Sequence, residues 1–339
     1  MLRSAEERRV YGETRSGRNP GVGVEVAGSA RRPPIDRRTF LGAAGAVPLA
    51  VPAVRTLAAD PPLEVSTNTY PWGTFAARDG RAFEPRSDET LDAIAAAGLT
   101  GYEPALTDVA ELDGLGPRLE ARGLRMPSLY ASSTLHDEAL APASVENVLR
   151  IARRAATMGT RIIVTNPTPI RWGGPENKTD AQIRSQAAAL DRLGREVRAL
   201  GLTLAYHNHD SELRLGGREF HHMLTATDAA HVKFCLDVHW VFRGCGDSQV
   251  ALFDVLEHYG DRIVELHLRQ SNGGPWTETF AVAGDIDYQR LADWLRRHGI
   301  RPLLTLEQAV EEKSPRTTDA VTAHREGLRT VRALFRPGA

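Results

Sequence analysis

Two cysteines in 339 residues, Cys235 and Cys245, are too few for a disulfide framework. They could form a single bridge in an oxidising compartment, but Cys235 sits in an apolar run, where a buried free thiol is the commoner state. No apolar run reaches the ~20 residues that cross a bilayer, and the nearest candidate is interrupted by Pro48 and Pro52. Neither sign of charge dominates, with 42 basic and 43 acidic residues, so nothing invites a polyanion such as a nucleic acid. No G-x-G-x-x-G follows the first predicted strand and no phosphate-cradling glycine loop is apparent, which removes the usual signs of a dinucleotide-binding sheet.

What is present begins with an N-terminus different in kind from the rest. Residues 1–35 are rich in Arg and Gly without apolar periodicity, the pattern of a disordered extension. Asp36-Arg37-Arg38-Thr39-Phe40-Leu41 then leads a weakly apolar run that ends in Ala58-Ala59, the order of parts in a twin-arginine export signal. The alternative is an accidental Arg pair in an Arg-rich tail. The expected division is an extension and signal over 1–59, cut near Ala59, and a folded body over 60–339. The expected location is periplasmic or extracellular, reached through the twin-arginine (Tat) export machinery, with no stable membrane anchor. Without residues 1–59 the chain carries 32 basic and 38 acidic residues, a formal charge of −6.

From residue 63 a short apolar strand, a polar loop and an amphipathic helix recur. Strands are predicted at 63–68, 100–103, 124–130, 161–166, 202–208, 232–237, 262–268 and 302–307. Helices are predicted at about 88–98, 110–122, 143–158, 179–200, 217–226, 247–259, 287–298 and 317–335. Gly98, Gly123, Gly159, Gly201, Gly260 and Gly299 stand where helices end and strands begin, as C-cap glycines do. Eight alternating units predict a (β/α)8 TIM barrel with all strands parallel; an open doubly wound sheet is the rival.

In such a barrel the chemistry lies at the C-terminal ends of the strands. The residues there are polar although they end apolar runs: Asn68, Glu103, Tyr130, Asn166, His207 with His209, Asp237 with His239, His267 with Arg269, and Glu307. The stretch LTLAYHNHDSE, 202–212, organises the rest: on a strand His207 and His209 share one face. His207, Asp237, His267 and Glu307 would come from four successive strands about 4.8 Å apart, close enough to surround one divalent ion. Two imidazoles and two carboxylates suit Mn, Zn, Co or Fe, with Mg less favoured. Each residue singly could instead belong to a structural ion pair or a capped loop. Trp72, Trp172, Trp240 and Trp276 fall in predicted loops on the same rim, where indoles stack on sugar rings, or else form a lid or subunit contact. Arg171 and Arg243 are nearby candidates for a carboxylate or phosphate.

The motifs YHNHDSE, FCLDVHW, VELHLRQ, AGDIDY and LTLEQ, in that order and spacing, resemble the xylose isomerase-like TIM-barrel superfamily, its sugar phosphate isomerase/epimerase group, and especially exported twin-arginine members. The likeness covers about 63–335 and is specific in the second half. It implies a divalent cation on Asp237, His267 and Glu307. The fourth ligand is commonly Glu, and here the matching residue is His207. Arg269 stands where Lys is common, and Gln270 where Asp is common. The chemistry implied is proton transfer beside a sugar carbonyl through an enediolate, with Glu307, His207 or His209 moving the proton and Arg269 offsetting negative charge. Glu103, Asn166, His239 and the four rim tryptophans are the candidate sugar contacts. An isomerase or epimerase is the first expectation. A lyase or dehydratase on a 3-keto sugar or inosose is the second, ahead of an endonuclease IV-like nuclease or a non-catalytic sugar-binding barrel. A homo-oligomer is compatible with all of these.

Overall fold

The computed structural model describes residues 63–336; the extension and the twin-arginine segment lie outside the described residues. The strands are β1 (Val65–Asn68), β2 (Gly101–Glu103), β3 (Ala105–Leu106), β4 (Ser128–Ala131), β5 (Ile162–Thr165), β6 (Thr203–His207), β7 (Val232–Asp237), β8 (Ile263–Leu268) and β9 (Leu303–Leu306). All pairings are parallel, in the order β2-β1-β9-β8-β7-β6-β5-β4-β3. β2 and β3 are one stave interrupted by Pro104, which has no N–H to donate to a ladder. Tyr102 N donates to the Arg125 carbonyl at 2.9 Å and Tyr130 N to the Pro104 carbonyl at 3.0 Å, so this stave joins the two ends of the ladder. The expected barrel is therefore present, with its second stave broken in the middle.

The helices are α1 (Thr69–Arg78), α2 (Asp88–Ala96), α3 (Leu115–Glu120), α4 (Ala141–Ala156), α5 (Asp180–Ala199), α6 (Arg214–Thr225), α7 (Val238–Gly244), α8 (Gln249–Tyr259), α9 (Tyr288–His298) and α10 (Ala320–Leu334). The predicted helix over 110–122 is split: a 3-10 turn at Val109–Leu112 and then α3, separated by Gly114 in the left-handed region at φ 68°. α1 and α7 are unforeseen, because Pro71-Trp72-Gly73 and the residues after Asp237 read as loop. Asp237 itself starts α7, its Oδ1 accepting from Trp240 N at 2.8 Å, as an N-cap carboxylate does. Five of the six predicted cap glycines have φ between 67° and 84°. Gly260 is right-handed at φ −60° and is small for another reason: a Cβ there would lie 2.1 Å from the Trp294 ring. No helix among the described residues is long and apolar enough to cross a membrane.

Strand alternation separates two interiors. On β7, Phe234 and Leu236 join the large apolar core, while Cys235 belongs to a small cluster with Ile162, Val164, Ala205 and Leu303. Two residues along each of these strands the side chains turn polar, and the site is built on that apolar floor. Both cysteines are free.

Outside the barrel, His324 of α10 stacks on Trp72 with ring centroids 4.3 Å apart, and its Nδ1–H donates to the Ala320 carbonyl at 2.7 Å. Burial lowers its pKa to about 4, against a smaller lift from that carbonyl. The folded ring therefore stays neutral while the unfolded one protonates below about 6.5, so folding stability falls as pH drops from there towards 4. The excess unfolding free energy of wild type over His324→Leu is expected to shrink by about 2–3 kcal/mol between pH 7 and pH 4.5. A difference in urea denaturation that stays flat across this range would contradict a neutral buried imidazole.

Candidate active site

A cavity of about 490 Å³ opens at the C-terminal ends of the strands, lined by Asn68, Tyr70, Glu103, Tyr130, Trp172, His207, His209, Trp240, His267 and Glu307 among others. A second hollow, of about 590 Å³, is lined by Glu64, Arg125, Arg161 and mostly loop residues of the opposite end, and gathers no comparable set of donors.

The polar run after β6 is divided by face. His207 and His209 both line the cavity, with ring centroids 4.8 Å apart. Asn208 faces away and staples β6 to β7: its Oδ1 accepts from Asp237 N at 3.0 Å and its Nδ2 donates to the Asp237 carbonyl at 3.2 Å. Glu212 holds the turn that follows, accepting from His209 N at 2.6 Å and Ser211 Oγ at 2.9 Å.

At the cavity floor the donor atoms of Asp237, His267 and Glu307 lie within 4.8 Å of one another. Bonds of about 2.0–2.3 Å place opposite ligands of one ion up to ~4.6 Å apart, so the spacing suits a divalent cation. Asp237 Oδ2, Glu307 Oε2 and His267 Nδ1 are buried and make no hydrogen bond, although Glu307 Oε2 and His267 Nδ1 approach to 2.7 Å. Three orphaned donors converging on one point fit a cation, since buried polar atoms are otherwise paired. His207 falls in a neighbouring group with Cys235 and His267. Its Nδ1 is 3.7 Å from Cys235 Sγ, and its ring centroid is 4.6 Å from that of His267.

Arg269 supplies a fixed positive charge to the same floor. It is fully buried, its Nε donates to the Glu307 carbonyl at 3.1 Å, and its Nη2 lies 2.8 Å from Glu307 Oε1 and 3.6 Å from Asp237 Oδ2. The guanidinium carbon stands 4.3 Å from the Trp276 ring centroid and 5.1 Å from that of Trp240, a cation held between indole faces.

These surroundings set the charge states. Burial works to raise the Glu307 carboxyl, but Arg269 and His267 outweigh it and hold it well below the ordinary range. Burial lifts Asp237 to about 7, with Arg269 opposing and Glu307 assisting. His207 is pushed well below its ordinary value by burial and the neighbouring His267, and His209 is lowered to about 4, mainly by burial. Burial also opposes charge on His267, yet Cys235, Glu103 and Glu307 raise it well above the ordinary value. At neutral pH the cavity thus presents two neutral imidazoles opposite an ionised Glu307.

Several residues predicted to touch a sugar are placed elsewhere. Trp72 is on α1, stacked on His324 and donating from Nε1 to Thr67 Oγ1 at 3.1 Å, and does not line this cavity. Trp276 is buried beneath Arg269, and His239 is fully buried against Trp240 and Trp276, its pKa lowered to about 2 chiefly by burial. Asn166 spends its amide on the His207 carbonyl at 2.9 Å. Trp172 and Trp240 do line the cavity; Trp172 is 54% exposed, at the mouth. Arg171 is paired with Glu176 at 2.6 Å and Arg243 with Glu311 at 3.0 Å, and neither lines the cavity.

Sequence reading missed a polar layer one step below the strand ends. Ser128 Oγ lies 3.0 Å from Glu103 Oε2 and 2.9 Å from Glu265 Oε1, and Thr305 Oγ1 donates to Glu265 Oε1 at 2.6 Å. The signal was available: Glu265 precedes His267 by two residues and Thr305 precedes Glu307 by two, so each shares the inward face of its strand.

A parallel barrel whose strand ends carry convergent carboxylates and imidazoles under an aromatic mouth defines an enzyme-like site of the TIM-barrel class. The chain belongs to the xylose isomerase-like TIM barrel family, whose model matches residues 91–334. Among solved structures it is similar to a sugar phosphate isomerase/epimerase from Parabacteroides distasonis (18% identity, TM-score 0.61, covering 85% of this chain and 99% of that one). It is also similar to 3-keto-D-glucoside 4-epimerase from E. coli (16%, TM-score 0.59, 80% and 99%) and to D-allulose 3-epimerase from Methylomonas sp. crystallised with D-allulose (16%, TM-score 0.61, 81% and 98%). At these identities the likeness is one of fold. No curated protein matches by sequence.

Proposed function

We propose that the protein is a divalent-metal-dependent isomerase or epimerase of an uncharged keto sugar. The observation that carries this reading is the convergence of Asp237, His267 and Glu307, with their buried orphaned atoms, at the floor of a cavity walled by His209, Trp172 and Trp240. The family and the epimerases among its structural neighbours support the same kind of chemistry.

A bound divalent cation would supply Lewis acidity, offsetting the negative charge that develops on neighbouring sugar oxygens when a proton leaves the carbon between them. The chain's own groups do the rest. His209, neutral at pH 7 and on the cavity wall, accepts the proton from the sugar C–H. Glu307 follows β9, three strands away from β6 in the ladder, and so faces the substrate from another side. Ionised in the resting site, it takes a proton from solvent as His209 releases its own, and passes that proton to the carbon from this side. Its low proton affinity makes it an acid of short lifetime, suited to giving a proton up. Arg269 holds Glu307 ionised and opposes the burial that raises Asp237, without reaching the cavity wall. Trp172 and Trp240 offer ring faces to a sugar.

The preference for an uncharged sugar comes from the lining. Among the described residues that line the cavity none is Lys or Arg, while Glu103, Asp210 and Glu307 all do. A phosphate group would meet carboxylates without a free cation to receive it. The test is to incubate the Mn- or Zn-loaded protein in D2O with keto sugars and their phosphorylated counterparts. Deuterium is expected at the carbon beside the carbonyl of an uncharged member. Exchange confined to phosphorylated sugars would contradict the substrate class, and no exchange in any would contradict the reaction.

Export belongs to the same proposal and rests on Arg37-Arg38 and the run that follows. Replacing both arginines with Lys is expected to leave the chain in the cytoplasmic fraction; unchanged export would remove the twin-arginine reading.

A further inference from the structure

We infer that Glu103 is a positioning residue for His267 rather than a contact for the sugar, an inference that rests on the metal-dependent reading above. Glu103 ends β2, is fully buried, and places Oε1 3.2 Å from His267 Nε2. The other ring nitrogen, Nδ1, faces Glu307 Oε2 at 2.7 Å, on the side where the three orphaned donors meet. The imidazole therefore stands between two carboxylates, one on each nitrogen. A histidine ligates an ion through a nitrogen lone pair, and which nitrogen offers it depends on what the other nitrogen's proton is bound to. Nε2 and Glu103 Oε1 are both buried, unpaired and 3.2 Å apart, so a small turn of the ring aims Nε2–H at Glu103, and loss of the Nδ1 proton to an arriving ion would leave the Nδ1 lone pair for the cavity side.

The surroundings fix Glu103 for this task. Its Oε2 is tied to Ser128 Oγ at 3.0 Å, and Ser128 is tied in turn to Glu265, which Thr305 anchors. Side chains from β2, β4, β8 and β9 thus hold one carboxylate against one ring. Glu103 Oε1 is buried without a hydrogen-bond partner, and His267 Nε2 faces it at 3.2 Å, with Glu265 in the same cluster. Glu265 is more distant from the same nitrogen, at 3.9 Å, and is the weaker candidate.

Zn affinity of the full chain, measured by competition with a chelating dye, is expected to fall about 10- to 100-fold in Glu103→Ala and less in Glu103→Gln, which keeps an acceptor without the charge. In parallel, two-bond 1H–15N spectra of the Zn-loaded protein, with the His267 signals identified by their loss in His267→Gln, are expected to show a protonated Nε2 and a Zn-bound Nδ1. Ligation through Nε2, or an unchanged Zn affinity in Glu103→Ala, would overturn the positioning role. If Glu103→Ala does not fold, the near-isosteric Glu103→Gln carries the test, and wild-type affinity together with wild-type spectra in that variant would overturn the role equally. A wild-type chain that takes up no Zn, Mn or Co would contradict the metal-dependent reading itself; a chain that takes up Zn with indifference to Glu103 would contradict only the inference drawn here.

Discussion

Glu307→Gln is expected to lower proton exchange on the responding sugar at least about a hundredfold, the lower range of what a positioned acid or base contributes, while the barrel stays folded. The substitution changes no shape. The Glu307 backbone N–H still donates to the Leu268 carbonyl at 3.0 Å, and the Glu307 carbonyl still accepts from Arg269 Nε at 3.1 Å, so the end of β9 stays in register. What disappears is the charge between Arg269 and His267 and the oxygen lone pairs turned to the floor of the cavity. An amide there neither gives up a proton nor completes an anionic ligand set. Circular dichroism is expected to stay near wild type, with a lower melting transition because Arg269 loses its nearest carboxylate. Full exchange activity in this variant would remove Glu307 from the proton path.

Arg269→Leu is expected to destabilise the fold by about 3–5 kcal/mol in metal-free protein, and saturating Zn or Mn is expected to recover a large part of the loss. Removing one member of a buried charge set costs more than the set is worth intact, because the remaining charges are left without a partner or solvent. Arg269 is fully buried with Asp237 and Glu307 as its acidic neighbours, and its guanidinium packs on the Trp240 and Trp276 rings. Leu fills part of the space but leaves two carboxylates facing each other near His267. A divalent cation bound at those carboxylates restores the compensation, and binding to the folded state alone adds stability by mass action. Denaturant melts with and without the ion separate the cases. A variant as stable as wild type without metal would mean that Arg269 compensates nothing, and a loss untouched by metal would mean that the ion does not bind at these carboxylates.

Both expectations rest on residues legible in the sequence, and the way they were legible shows what such reading omits. A strand that ends in a charged or imidazole residue can be seen directly, and that is how His207, Asp237, His267, Arg269 and Glu307 came into view. The eight-unit rhythm and the glycines closing the helices fixed the barrel, because caps and strand periodicity are local properties. Residues beyond the strand ends were harder. Trp72 and Trp276 were expected at the sugar because they follow strands one and seven, yet α1 turns Trp72 against α10 and Arg269 lies over the buried Trp276. The direction of a side chain after a strand depends on the helix that starts there, and neither α1 nor α7 announces itself: Pro71 and Gly73 mask the first, and α7 has only 7 residues. Asn166 looked like a sugar ligand because it is polar at a strand end. Its amide is used on the His207 carbonyl across the neighbouring strand, a pairing no one-dimensional pattern reveals. Pro104 inside the second stave had the opposite effect: the stretch was predicted to stop at Glu103, and the ladder resumes beyond the proline because only the N–H is missing.

The reading of His207 shows the same limit at the centre of the site. Strand order places it beside Asp237 and His267, but its ring also meets Cys235, its direct register partner on β7.

Anomalous X-ray scattering from crystals of the full chain loaded with Mn or Co, recorded on both sides of the metal edge, measures the claim on which the rest stands. The account predicts a single peak at the cavity floor within bonding distance, about 2.0–2.3 Å, of side-chain donors from Asp237, His267 and Glu307. A peak held by other residues, or a floor with no anomalous signal at saturating metal, would contradict it.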